Sequence, residues 1–167
     1  RRDRQVLDFK EQGSAYSSVP IKRDIQVFSS GTKFKIDSLE ILPIHVDHSI
    51  PGAYGFIIYT SSGPIVYTGD LRLHGTKPQM TREFIDAAKK EKPIALLAEG
   101  THIKDSPKDE SEEKVFTEGL GVVSRENSFV FADFNPRDVD RLRTFYNIAK
   151  RTNRKFVINL KNAPILK

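Results

Sequence analysis

The chain has no cysteine among its 167 residues. Disulfides and thiolate metal sites are therefore excluded, and any zinc must be held by histidine and carboxylate. No apolar run approaches the roughly 18 residues of a membrane span, and the opening residues RRDRQVLDFKEQ contain no signal-peptide core. A soluble, cytoplasmic protein with no membrane partner is the expectation. Apolar residues make up 38%, a low share for a globular domain but enough for a core. A start on RRDRQ, without Met, reads as a piece of a longer protein. Charge of one sign is not dominant: 27 basic and 22 acidic side chains leave a net +5, an excess that suits an acidic or nucleic-acid partner without requiring one.

The length suits one ordinary domain or two partial ones. The first half reads as antiparallel β. Segments 25–28 (IQVF) and 33–36 (KFKI) flank SSGT as a hairpin, and 54–60 and 64–70 flank SSG as another. Between them 39–46 (LEILPIHV) is interrupted by Pro43, which predicts an edge or a bend. The period then changes. Phe84, Ile85 and Ala88 give helical spacing over 81–92 with Thr81 as N-cap, and 94–100 (IALLAEG) predicts a buried strand. A charged connection follows. The pattern then predicts a helix at 111–123, weakened near Gly119 and Gly121, a strand at 128–134, a helix at 135–153 and a strand at 155–160. In the last helix Asn135 is the expected cap and Pro136 the first helical residue, with Val139, Leu142, Tyr146 and Ala149 as its apolar stripe. Strand–helix–strand order predicts a parallel unit. The fold class expected is α/β, with two parts, 1–110 and 111–167.

Histidine is scarce too, with four in the chain, and two of them sit with an aspartate in HVDHSIPG (45–52). His48 follows one strand, Asp70 ends the next but one, and Glu99 ends IALLAE. Polar side chains can converge at strand ends without disrupting a sheet. Taken singly each has a plain reading: a surface histidine, turn chemistry in TGD, and a carboxylate in need of a partner.

Together, HVDHSIPGAYGF, PIVYTGDLRLHG and ALLAEGTH resemble the β-CASP nuclease branch of the metallo-β-lactamase fold, near ribonuclease J. The three positions are separated by 22 and 29 residues. The likeness continues through FADFNPRDVDRLRTFYNIAKRTNRKFVI. The resemblance implies the later part of a metallo-β-lactamase αββα sandwich over 1–110. Residues 111–167 would then open a Rossmann-like β-CASP domain with its first strand–helix–strand. It implies His48 as a metal ligand, Asp70 as an aspartate bridging two Zn2+ ions, and Glu99 as the residue orienting the site. It implies hydrolysis of RNA phosphodiester bonds, by endonucleolytic or 5′-exonucleolytic attack, with single-stranded DNA as the alternative polymer and a homo-oligomer compatible. The family motif His-x-His-x-Asp-His is absent here, so this stretch alone is expected to be inactive. A catalytically silent RNA-binding or assembly subunit, or a same-fold hydrolase of another substrate such as DNA, are the competing readings.

Around that site His74 and His102 are candidates for contact with substrate. His45 and Asp47 are read as supporting residues and Thr101 as a hydrogen-bonding neighbour. The turn Asn135–Arg137 is the candidate phosphate contact, since a strand running into a helix leaves N–H groups free and Arg137 adds a guanidinium.

Overall fold

A computed structural model describes residues 6–12, 15–21, 27–101, 111–135 and 137–159, the first two stretches by backbone alone. It shows an α/β chain. β1 (Val6–Gln12) and β2 (Ala15–Ile21) form a separate antiparallel hairpin, with Val6 opposite Ile21. The main sheet holds β3 (Phe34–Ile36), β4 (Leu39–His45), β5 (Tyr54–Thr60), β6 (Gly63–Tyr67) and β7 (Ala95–Leu97), in that spatial order. Neighbours are antiparallel except β6 and β7, which are parallel and joined through α1 (Pro78–Lys90). β4, β6 and β7 therefore run in one direction, and their C-terminal ends share one edge. Helices α2 (Glu112–Arg125) and α3 (Val139–Arg151) complete the described elements.

Alternation decides which side chains meet α1. Val46, Ile57, Val66, Phe84 and Ala88 form the buried cluster, with Leu42, Ile44 and Ile85 packed against it. The opposite face carries a run of rings. Phe28 stacks on Phe34 at 5.2 Å, meets Tyr54 and Phe56 edge-on, and Phe56 stacks on Tyr67 at 6.5 Å. This face is only partly covered, with Ile36, Tyr67 and Leu97 exposed.

Several local expectations are corrected. KFKI pairs forward with β4, Asp37 taking a left-handed φ of 50° in the short turn between them. Of IQVF, residues 25 and 26 lie outside the described residues, and Val27 and Phe28 are not in a strand. Pro43 sits inside the sheet opposite Phe56. It is tolerated because β3 ends level with Ile41, so the missing N–H faces the 29–32 loop, where Gly31 N–H donates to Pro43 O. Helix α1 begins at Pro78, not Thr81. Thr81 is fully buried in the first turn, its hydroxyl accepting from Asp47 N at 2.9 Å and donating to Arg72 O at 2.9 Å. β7 is exposed rather than buried, because it forms the sheet's outer strand among the described residues.

The second half departs further. α2 runs past Gly119 and Gly121 to Arg125, and Gly119 lies against the Ile148 Cδ1 methyl of α3, where a Cβ would come within 2.9 Å. Ser111 caps α2, accepting from Lys114 N at 3.2 Å. Segments 128–134 and 155–159 are not strands, and Phe129, Phe131 and Val157 are exposed. Their apolar pattern is that of strands, but among the described residues no ladder partner satisfies their backbone groups. They are held near α3 by Phe134 stacked on Phe145 and Phe156 edge-on to Tyr146. Arg154 ties their beginnings together, donating to Ser128 O at 2.7 Å and to Glu126 O. The parallel strand–helix–strand unit is thus represented by its helix.

Glu112 links α2 to α3. Arg141 donates to both its oxygens, at 3.0 and 3.3 Å, and the Thr144 hydroxyl adds a bond of 2.9 Å. Burial pushes the Glu112 carboxyl up, but the bonds from Arg141 and Thr144 and the charges of Arg141 and Arg72 outweigh it and hold it below its ordinary value. A depressed carboxyl contributes stability that is present above its unfolded pKa, about 4.3, and lost as pH falls through the folded value. Glu112→Gln is therefore expected to cost about 1.5–3 kcal/mol at neutral pH. Its deficit against the parent protein should shrink as pH drops below the unfolded value, read as melting temperature against pH. A deficit that stays constant to low pH would contradict this origin.

Candidate functional site

The shared C-terminal edge of β4, β6 and β7 brings the three leading candidates together. His48 leaves β4 by the 46–52 loop, Asp70 follows β6, and Glu99 follows β7. His48 Nε2 lies 3.9 Å from Asp70 Oδ2. Asp70 is exposed and His48 half-buried, so both donors are open to a ligand. His48 Nε2 also lies 3.4 Å from Ser49 Oγ. The turn that presents Asp70 depends on Gly69, whose φ is +57° and whose position would bring a Cβ within 2.6 Å of Tyr54 O.

Glu99 reaches under this pair. Its Oε1 accepts from Leu71 N at 3.0 Å, the residue next to Asp70, and its Oε2 accepts from the Thr101 hydroxyl at 3.1 Å. Thr68 fixes the strand ends: its N–H donates to Leu97 O at 3.0 Å, its hydroxyl accepts from Glu99 N at 3.3 Å. Glu99 thus holds the backbone of the Asp70 turn and does not bond to either metal-ligand candidate. Thr68 escaped the sequence reading, since a threonine before Gly-Asp carries no signal of its own.

The other candidates are placed as follows. His45 stacks on Tyr54, centroids 4.6 Å apart and planes 9° off parallel, which turns it to the aromatic face and away from His48. His74 is exposed, and its carbonyl accepts from Glu112 N at 3.2 Å. His102 lies outside the described residues. Helix α3 starts at Val139 with Asp138 as its cap, not Asn135: Asp138 Oδ1 accepts from Arg141 N at 3.0 Å. Asn135 Oδ1 is used within its own turn, accepting from Arg137 N at 3.0 Å. A carboxylate therefore already occupies the positive end of α3 that was expected to face an anion, and the exposed Arg137 side chain is what the turn offers.

A third set centres on an arginine that was not anticipated, beside Asp47, which was read as a supporting residue. Arg72, two positions beyond Asp70, is nearly buried among Asp47, Asp138 and Asp140. Asp47 is also buried, its Oδ2 accepting from Lys77 N at 3.2 Å. Beside this group a cleft of about 470 Å³ opens between the 75–78 loop and the two helices, with Glu113, Phe116 and Arg143 on its walls.

An imidazole nitrogen facing a carboxylate at 3.9 Å is a donor pair of the kind zinc accepts. Two donors are fewer than the three or four that zinc needs, and among the described residues no group of three or more His, Asp or Glu is placed to hold one ion. The described residues thus bring an imidazole and a carboxylate together without forming a metal-holding group.

Fold and site define an α/β protein with a mixed five-stranded sheet and a cluster of polar strand ends. No family model matches the chain. It is similar to a protein of unknown function from Enterococcus faecalis V583, whose crystal structure aligns with a TM-score of 0.62 at 25% identity, covering 78% of this chain and 32% of that one. The chain therefore spans about a third of the length of that relative. Among the described residues no helix is long and apolar enough to cross a membrane.

Zinc titration followed by histidine ring NMR tests the site. His48 signals should move while His45, stacked on Tyr54, stays in place, and Asp70→Ala should remove the response. Equal movement of both rings would place the donor pair wrongly.

Proposed function

We propose that this chain forms one side of a two-metal nuclease centre that hydrolyses RNA, with the remaining ligands supplied from outside the described residues. The observation that carries this reading is the 3.9 Å approach of His48 and Asp70 at the edge where β4, β6 and β7 end, with Glu99 bracing the Asp70 turn. It is the arrangement that the resemblance to β-CASP nucleases implies for those three positions. The open aromatic face of the sheet, from Phe34 to Tyr67, supports the finer architecture, since a second sheet laid on it would complete an αββα sandwich. Segments 128–134 and 155–159, apolar and flanking α3, would become the strands of a Rossmann-like β-CASP unit once a sheet reaches them.

In this reading His48 and Asp70 hold metal, which when bound supplies Lewis acidity toward a phosphate and acidifies a water. Asp70, whose side chain is exposed, would be the aspartate shared by the two metals. Glu99 keeps Asp70 aimed outward by gripping Leu71 N–H. Arg137, exposed beside the entry to α3, is the proposed phosphate contact, acting through its guanidinium. His74, exposed on the loop that continues from Asp70, is the proposed further contact to the polymer.

The deciding experiment is cleavage of labelled RNA by the intact protein. Asp70→Ala should abolish turnover and leave RNA affinity nearly unchanged, because phosphate contacts dominate affinity. Glu99→Gln should cost about 10–100-fold in metal affinity or activity, as loss of a supporting group does. Full activity in Asp70→Ala would refute the reading, and RNA binding without metal uptake would leave a binding subunit.

A separate measurement addresses the substrate contact. In salt-dependent RNA binding, Arg137→Ala should weaken affinity alike for all sequences and lower the slope of log affinity against log salt by about one unit. An unchanged slope would remove Arg137 from the interface.

A further inference from the structure

We propose that Arg72 is a positioning residue that couples the seat of α3 to the geometry of His48 and Asp70. The metal half of this inference rests on the function proposed above; the coupling itself does not.

Both candidate loops are tied to Arg72 by backbone and side chain. Arg72 N–H donates to Asp47 O at 2.9 Å, joining the residue before His48 to the stretch that follows Asp70. Arg72 O accepts from the Thr81 hydroxyl, which in turn accepts from Asp47 N. The two loops are thus fixed to each other and to the first turn of α1. Leu71, immediately before Arg72, is the residue gripped by Glu99.

The guanidinium then reaches across to α3. One terminal nitrogen bonds to Asp140 Oδ2, the other lies 3.9 Å from Asp138 Oδ2, and Nε lies 3.5 Å from Asp47 Oδ1. Nε has no bond of good geometry and is buried, so it depends on the Asp47 charge. A second tie runs from α3 to the His48 loop: Val139 N–H donates to Ser49 O at 3.1 Å. The first turn of α3 therefore touches both loops, one residue from His48 and two from Asp70.

Three carboxylates around one planar cation explain why residue 72 must be arginine. A lysine is a point charge and cannot face all three. Packing alone would not meet this need, because an apolar side chain at residue 72 fills space but leaves the buried Asp47, with Asp138 and Asp140, without a countercharge. A displacement of α3, by substrate at Arg137 or by a neighbouring element, would move Asp138 and Asp140. Through Arg72 it would alter the 3.9 Å spacing of His48 and Asp70.

The test compares Asp140→Asn and Arg72→Lys with Ile148→Val, which thins the α2–α3 contact without touching Arg72. The readouts are the His48 ring signals by NMR at constant pH, amide exchange at Leu71, and zinc affinity. Asp140→Asn and Arg72→Lys should shift or broaden the His48 signals, speed exchange at Leu71, and weaken zinc binding about tenfold. Ile148→Val should lower the melting temperature while leaving all three unchanged. If Arg72→Lys fails to fold, Asp140→Asn decides alone. His48 and Leu71 undisturbed in Asp140→Asn would overturn the proposal. If the parent protein takes up no zinc yet Asp140→Asn moves the His48 ring, the coupling stands and the metal reading falls.

Discussion

A guanidinium buried among carboxylates is the constraint on which the arrangement depends. Arg72 is nearly sealed from water, as is Asp47. Neither charge is tolerable alone, and removing one partner of such a pair costs about 3–5 kcal/mol. Asp47, Asp138 and Asp140 must therefore stay where the arginine can meet them. That requirement brings the start of α3 onto loops that belong to the sheet, across 68 residues of chain from Arg72 to Asp140. The neighbouring pair of Glu112 and Arg141 extends the same logic to α2.

Sheet direction does the rest of the positioning. A run of antiparallel neighbours followed by one parallel crossover sends β4, β6 and β7 the same way. Three loops then leave from one edge. His48, Asp70 and Glu99 occur at those three exits, and their meeting follows from topology together with the Thr68 bonds that clamp β6 to β7. The loops need no regular structure of their own, because backbone bonds to Thr81, Asp47 and Glu99 hold them.

The apolar surfaces left open have a common character. The ring-bearing face of the sheet, the outer strand β7, and the segments beside α3 are all built from residues that elsewhere fill cores. Large exposed apolar surface marks contact with another part of a chain or another molecule. The same property accounts for the reading of 94–100 as a buried strand and of 128–134 and 155–160 as strands. Side-chain pattern reports a preference for burial, whereas a strand also needs a backbone partner, and among the described residues β7 has one on a single side.

Local pattern alone determined the α/β class, the three helices read at 81–92, 111–123 and 135–153 and found at 78–90, 112–125 and 139–151, and most strands of the central sheet, because hydrophobic period and turn residues act within a few positions. It also singled out His48, Asp70 and Glu99 as strand-end polar residues. Other features were decided only in three dimensions. The α3 cap moved from Asn135 to Asp138, Ser111 took the cap of α2, and Thr81 changed from cap to buried clasp, because each depends on which N–H or C=O lies opposite. KFKI found its partner in β4 through the turn at Asp37. Arg72 gave no signal in LRLHG, since an arginine's role is set by the charges around it, and Asp47, Asp138 and Asp140 lie far from it along the chain. A residue's own type can announce what it prefers to touch; only the folded chain decides what is there to be touched.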